Sequence, residues 1–136
     1  MKRIGTLYSK IYSIENLLLA EKKAQRGKSK QKGVIEHNKN REENILILHQ
    51  MLVTNTYKTS KYNTFKIFDN NKEREIFSLP FFPDRILHHA VINIIGDLFI
   101  STFTADTYSC IKGRGTHRAA YKVKAALKDR ENTKYA

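Results

Sequence analysis

Residues 74–118 read REIFSLPFFPDRILHHAVINIIGDLFISTFTADTYSCIKGRGTHR, and their order governs how the rest of the chain is read. The stretch opens as half of a hairpin ending at Pro80, passes through Asp84-Arg85, continues as a long apolar segment, and closes in a glycine-basic loop ending at Thr116-His117-Arg118. Asp84 stands at a helix start, where a carboxylate complements the dipole. Leu87, Ala90, Val91, Ile94, Ile95 and Leu98 follow at helical spacing and form an apolar face wide enough for a core helix. Gly96-Asp97 reads as a break that leaves Leu98 to Phe103 as a short continuation.

Upstream, the period becomes that of strands. Phe65-Lys66-Ile67-Phe68 and Glu75-Ile76-Phe77-Ser78-Leu79 flank Asp69-Asn70-Asn71-Lys72, a polar turn whose two asparagines tolerate left-handed geometry. This predicts a β-hairpin between Tyr62 and Pro80. Its register stays open: a three-residue loop over Asn70 to Lys72 puts Lys66 and Arg74 on one face, and a two-residue loop separates them. Further upstream, Asn40-x-x-Glu43 has the shape of a capping box, with Ile45, Leu48, Met51 and Leu52 behind it, predicting a helix from Asn40 to about Thr54-Asn55. Ser13 is positioned to cap another helix, carrying Ile14, Leu17, Leu18 and Ala24 and fading by Gly27. Between these helices the tract Lys22 to Gly33, KKAQRGKSKQKG, is too polar to bury anything, and reads either as a solvated linker or as an arm that contacts phosphates. Downstream, a last helix is expected from about His117 to Arg130 with Thr116 as its cap. Ala120, Val123 and Leu127 lie on one side, and Arg118, Lys122, Lys124 and Lys128 on the other. The fold class is therefore α+β, mainly helical with one long β-hairpin.

Charge narrows the partners. The chain has 136 residues, enough for one domain or a piece of something larger, and 25 Lys and Arg against 13 Asp and Glu give +12. Residues 21–33 hold six basic side chains and one acidic, and residues 112–134 hold eight and two, so two short stretches carry nearly all of the excess. Such clustering favours a polyanion, either nucleic acid or an acidic membrane surface. The membrane reading is the weaker, because the basic helix lacks the bulky apolar face that inserts. Cys110 is the only cysteine, which excludes an intrachain disulfide and a cysteine-rich zinc site. No apolar run reaches the ~18 residues of a membrane span, and Met1-Lys2-Arg3-Ile4 does not open a signal peptide, so a cytoplasmic location is expected.

The segment from Ile111 to Arg118 is the strongest candidate site on physical grounds. Gly113 and Gly115 allow close backbone approach, Lys112 and Arg114 are interleaved with them, and a helix N-terminus follows, which together suit a phosphate. His88-His89 is not a convincing metal pair, since adjacent helical residues point about 100° apart. His117 has no serine or cysteine nucleophile at a defensible spacing, and a hydrogen-bonding role in the loop suits it better. Asp69, Asp84, Asp97, Asp106 and Asp129 all fall in turns, caps or solvated positions rather than in an apolar strand, so no two-metal carboxylate site is expected in this chain.

The order Arg74-x-x-x-x-x-Pro80, then Asp84-Arg85-Ile86-x-x-x-Ala90, then Tyr108-x-x-x-x-Gly113-Arg114-Gly115-Thr116-His117 resembles the opening motifs of bacterial reverse transcriptases. The likeness is closest to diversity-generating retroelement enzymes and next to group II intron enzymes. It covers residues 60 to 128 well and the first 59 loosely. Ile111 replaces a residue that is often basic there, and Gly96-Asp97 replaces the common Glu-Pro. The resemblance implies a helical N-terminal extension with a basic linker over residues 1–59 and a fingers subdomain over 60–136, truncated before the palm. It implies that Lys66 and Arg74 clamp a deoxynucleoside triphosphate, and that Lys112, Gly113, Arg114, Gly115, His117, Arg118 and Lys122 contact the nucleic-acid backbone. Partners implied are template RNA, an RNA/DNA duplex and a small basic accessory protein. Mg2+ is expected in the full-length enzyme and no cofactor in this chain, which lacks the catalytic aspartates and is expected to be inactive alone. The alternative is a free-standing basic RNA-binding module.

Overall fold

The computed structural model describes residues 4–134. Among them, six α-helices and one antiparallel hairpin follow in the order α1 (Leu7–Tyr12), α2 (Ile14–Gln25), α3 (Lys32–Lys39), α4 (Arg41–Val53), β1 (Asn63–Asp69), β2 (Lys72–Ser78), a distorted turn over Phe81–Arg85, α5 (Ile86–Thr102) and α6 (Thr116–Ala126). The chain divides into two compact units, the first reaching Gly96 and the second beginning at Asp97.

The core of the first unit forms where three helices present their small and aliphatic positions to one another. Leu17 and Ala20 of α2, Ile45, Leu48 and Leu52 of α4, and Ile86, Leu87 and Ala90 of α5 make one buried cluster, edged by Ile11, Tyr12, Tyr57, Phe81, Phe82 and Val91. Leu17, Leu48 and Ile86 are fully buried, and each such side chain contributes about 1.5–3 kcal/mol of hydrophobic stabilisation. Ser13 caps α2 as its sequence position suggests, its hydroxyl accepting the Asn16 N–H at 3.3 Å. On α2 the buried apolar positions are Leu17, Ala20 and Ala24, whereas Ile14 and Leu18 face outward.

Several expectations need correction. The tract Lys22 to Gly33, expected to bury nothing, contributes buried Ala24, and turns at Lys28 and Gln31 lead from it into α3, a helix the polar composition concealed. Gly33 sits where a Cβ would come within 3.2 Å of the Phe81 Cβ, so its lack of a side chain is what lets α3 approach the turn. Asn40 precedes α4 but makes no side-chain cap, so no capping box forms. The α5 helix runs through Gly96-Asp97 without interruption, because the i→i+4 ladder tolerates a glycine at a cost of about 1 kcal/mol. Asp84 is not a solvated cap: it is fully buried.

Besides Asp84, charge enters this core through a network on α2. Glu21 interrupts the apolar stripe of α2 and is buried, receiving Arg41 Nε and Nη2 at 2.7 and 2.6 Å and meeting His37 Nε2 at 3.0 Å. Bidentate Arg–carboxylate geometry of this kind is the strong form of an ion pair. The His37 ring lies against Phe82, 5.7 Å between centroids and nearly parallel, and edge-on to Phe81. One buried carboxylate thus ties α2, α3 and α4 together beside the Phe81–Arg85 turn. On the other side of α2, buried Asn16 donates to the backbone oxygens of Ile11 and Ala90 and accepts from Asn93.

Candidate nucleic-acid interface

The hairpin is exposed along almost its whole length, so its shape is set by backbone pairing and by its turn. Asn70 and Asn71 have φ of 50° and 60°, the two left-handed residues of a type I′ turn, whose twist matches that of the flanking strands. Asp69 pairs with Lys72, Ile67 with Arg74, Lys66 with Glu75 and Phe65 with Ile76. The loop has two residues, and the three-residue alternative over Asn70 to Lys72 is not formed. Because side chains alternate along a strand, Lys66 and Arg74 lie on opposite faces.

Each face has its own ion pair. Lys66 reaches Glu73 at 3.1 Å, and Arg74 reaches Asp69 at 3.4 Å. All four side chains are about half exposed or more, and such pairs are worth about 0–1 kcal/mol. Both cations are therefore available to a stronger anion at little cost.

Asp84 anchors the root of the hairpin. Its Oδ1 accepts the Tyr57 hydroxyl at 2.6 Å and the Ser60 backbone N–H at 3.1 Å, tying the entry into β1 to the start of α5. Burial alone would raise its pKa, but the hydrogen bonds from Ser60 and Tyr57 outweigh that and hold the carboxyl below its ordinary range. Burial, and then the hydrogen bond to Asp84, pushes the Tyr57 phenol up.

In the second unit the loop before α6 is braced from within. Gly113 has φ of +77°, a conformation open to glycine at little cost. Arg114 donates to the Thr104 carbonyl at 3.4 Å, Arg118 to the Gly113 carbonyl at 3.3 Å, and Lys122 pairs with Asp106 at 3.5 Å. Lys112, Gly115 and His117 are exposed. Thr116 is the first residue of α6 rather than its cap; Gly115 occupies the cap position, and no side chain caps the helix. The helix ends at Ala126, short of the expected Arg130, and none of its residues is buried; Val123 and Leu127, expected to face a core, are exposed. The segment thus offers cations on a loop and one helix turn, with two guanidiniums already oriented by backbone oxygens.

Among the described residues, no group of three or more His, Cys, Asp or Glu could hold a metal ion. Asp69 and Asp106 are in ion pairs, Asp84 is enclosed, and Asp129 accepts from Asn132. No helix among the described residues is long and apolar enough to cross a membrane. The imidazole of His89 is held below its usual range, first by burial and then by the positive charges of Arg85, Lys28, Lys23 and His88. That shift had no signature in the sequence, because Lys23 and Lys28 lie some sixty residues before His89 in the chain. No protein-family model and no curated protein matches the chain.

Proposed function

We propose that this chain is the N-terminal and fingers part of an RNA-directed DNA polymerase, acting in the cytoplasm, whose own task is to hold template RNA and an incoming deoxynucleoside triphosphate. The observation that carries this reading is the hairpin: a solvent-exposed ribbon that presents Lys66 and Arg74 in weak surface ion pairs and is joined through Pro80 to a root pinned by Asp84. A triphosphate gathers negative charge on its oxygens during transfer, and a guanidinium meets such oxygens bidentately while a lysine supplies a point charge. Arg74 has the better case of the two, by its place ahead of Pro80 and Asp84-Arg85. With Lys66 on the other face, the two act from opposite sides of the ribbon, or Arg74 acts without it. Lys112, Arg114, Arg118 and Lys122 then track the nucleic-acid backbone from the second unit. No step of the chemistry is assigned to this chain's carboxylates.

The test uses the longest protein that the reading frame encodes, assayed for RNA-templated deoxynucleotide incorporation. Arg74→Ala is expected to lower incorporation about tenfold or more at unchanged RNA affinity, a loss of at least about 1.4 kcal/mol of transition-state stabilisation. RNA binding without templated incorporation would overturn the polymerase reading in favour of a free-standing RNA-binding module.

A further inference from the structure

The register that separates Lys66 from Arg74 also decides what Arg74 stands beside. Alternation puts Arg74 on the same hairpin face as Phe65 and Ile76. Those two residues form one wall of a groove of about 250 Å3, whose other side carries Lys28, Gln31, Phe81 and Arg85. Phe65 is half exposed, so an aromatic surface is open at the mouth. Lys28 is partly buried, and neither it nor Arg85 is in an ion pair among the described residues. The acidic residues Glu73 and Glu75 point away, on the Lys66 face, and Asp69 is engaged with Arg74 near the turn. Glu21 is turned inward to Arg41 and His37.

We infer that this groove is a subsite for one unpaired nucleotide of a single-stranded RNA, with its base against Phe65 and its flanking phosphates on Lys28 and Arg85. The chemistry is that of single-strand recognition, in which every base offers a π-face to an aromatic side chain and cations follow the backbone. A strand suits the site better than a lone phosphate. The groove has an apolar wall as well as cations, and the tract over residues 21–33 extends the positive charge beyond one phosphate. This subsite rests on the reading that the chain binds RNA, and not on the reading that it belongs to a polymerase.

The 136-residue chain is titrated with a short fluorescent oligouridylate at several salt concentrations. Phe65→Ala is expected to weaken binding about tenfold, the scale of one base–aromatic stack, whereas Phe65→Tyr keeps the stack and binds as the wild type does. Lys28→Ala with Arg85→Ala is expected to reduce the slope of log affinity against log salt by about 1.4, two phosphates' worth for a single strand. Lys39→Ala, at an exposed pair with Glu36 elsewhere on the surface, serves as the control and leaves both quantities unchanged. Retained affinity and slope in the Lys28/Arg85 double variant, with RNA still bound, overturns the subsite and leaves RNA binding intact. Equal loss in Phe65→Tyr and Phe65→Ala overturns the stacking role. Displacement of the oligonucleotide by free uridine nucleotide at equal concentration assigns the groove to a mononucleotide and overturns the strand reading. A chain that binds no RNA overturns both this inference and the reading beneath it.

Discussion

Tyr57→Phe isolates the hydrogen bond that holds the hairpin to the helical core. The substitution removes one oxygen and leaves the ring where it packs beside Leu87 and Leu52, so lost packing does not confuse the result. What disappears is a 2.6 Å hydrogen bond to a carboxylate that is fully buried and has one further donor, the Ser60 N–H; Oδ2 of Asp84 has no partner among the described residues. A hydrogen bond to a charged group contributes about 1.5–3 kcal/mol, so the expected loss is about 2 kcal/mol at pH 7. With a urea dependence of about 2 kcal/mol per M, the unfolding midpoint falls by about 1 M. The pH dependence supplies a second reading of the same interaction. The Asp84 pKa is depressed in the folded state, so its contribution is complete above the unfolded value of about 3.9 and is lost as pH falls through the folded value. The Tyr57 pKa is raised, so the phenol's contribution is complete below about 10 and is lost only as pH rises through its folded value. Removing one of the hydrogen bonds that depress Asp84 makes the variant less sensitive to acid. The gap between wild type and variant should therefore be flat from about pH 5 to 9 and narrow below about pH 4. Urea unfolding followed by circular dichroism across that range measures it. A gap under about 0.5 kcal/mol at pH 7, or one that stays constant into acid, would refute the anchoring role.

Two further expectations concern other parts of the molecule. Arg41→Ala strips the bidentate partner from buried Glu21 and should destabilise the chain by about 3 kcal/mol, the lower end for a broken buried pair because Arg41 itself is half exposed; adding Glu21→Gln should recover part of this, and urea melts of the two variants compare them directly. Charge reversal at Arg114, Arg118 and Lys122 should flatten the salt dependence of RNA binding by about 0.7 for each phosphate no longer neutralised, and titrations showing no salt dependence in the wild type would remove the phosphate-binding role of the loop.

What could be read along the chain was whatever depends on neighbours in sequence. The Ser13 cap, the strand period on either side of Asn70-Asn71, and the spacing of Leu17, Ile45, Leu48, Leu87 and Ala90 are local signals, and the elements they announce are present. The same signals left α3 hidden, since its stability comes from Val34 and His37 packing rather than from its own polar sequence. They also misplaced Asp84, because a carboxylate before a helix reads as a dipole partner until Tyr57 and Ser60 are brought to it from across the fold. Tertiary structure alone decided the hairpin register, where a shift of one residue moves every side chain to the other face. With that shift, Arg74 parts from Lys66 and joins the face of Phe65 and Ile76. The groove they share with Lys28 and Arg85 draws on residues nearly sixty positions apart, and no periodicity within a segment encodes a meeting that only burial of the common core brings about.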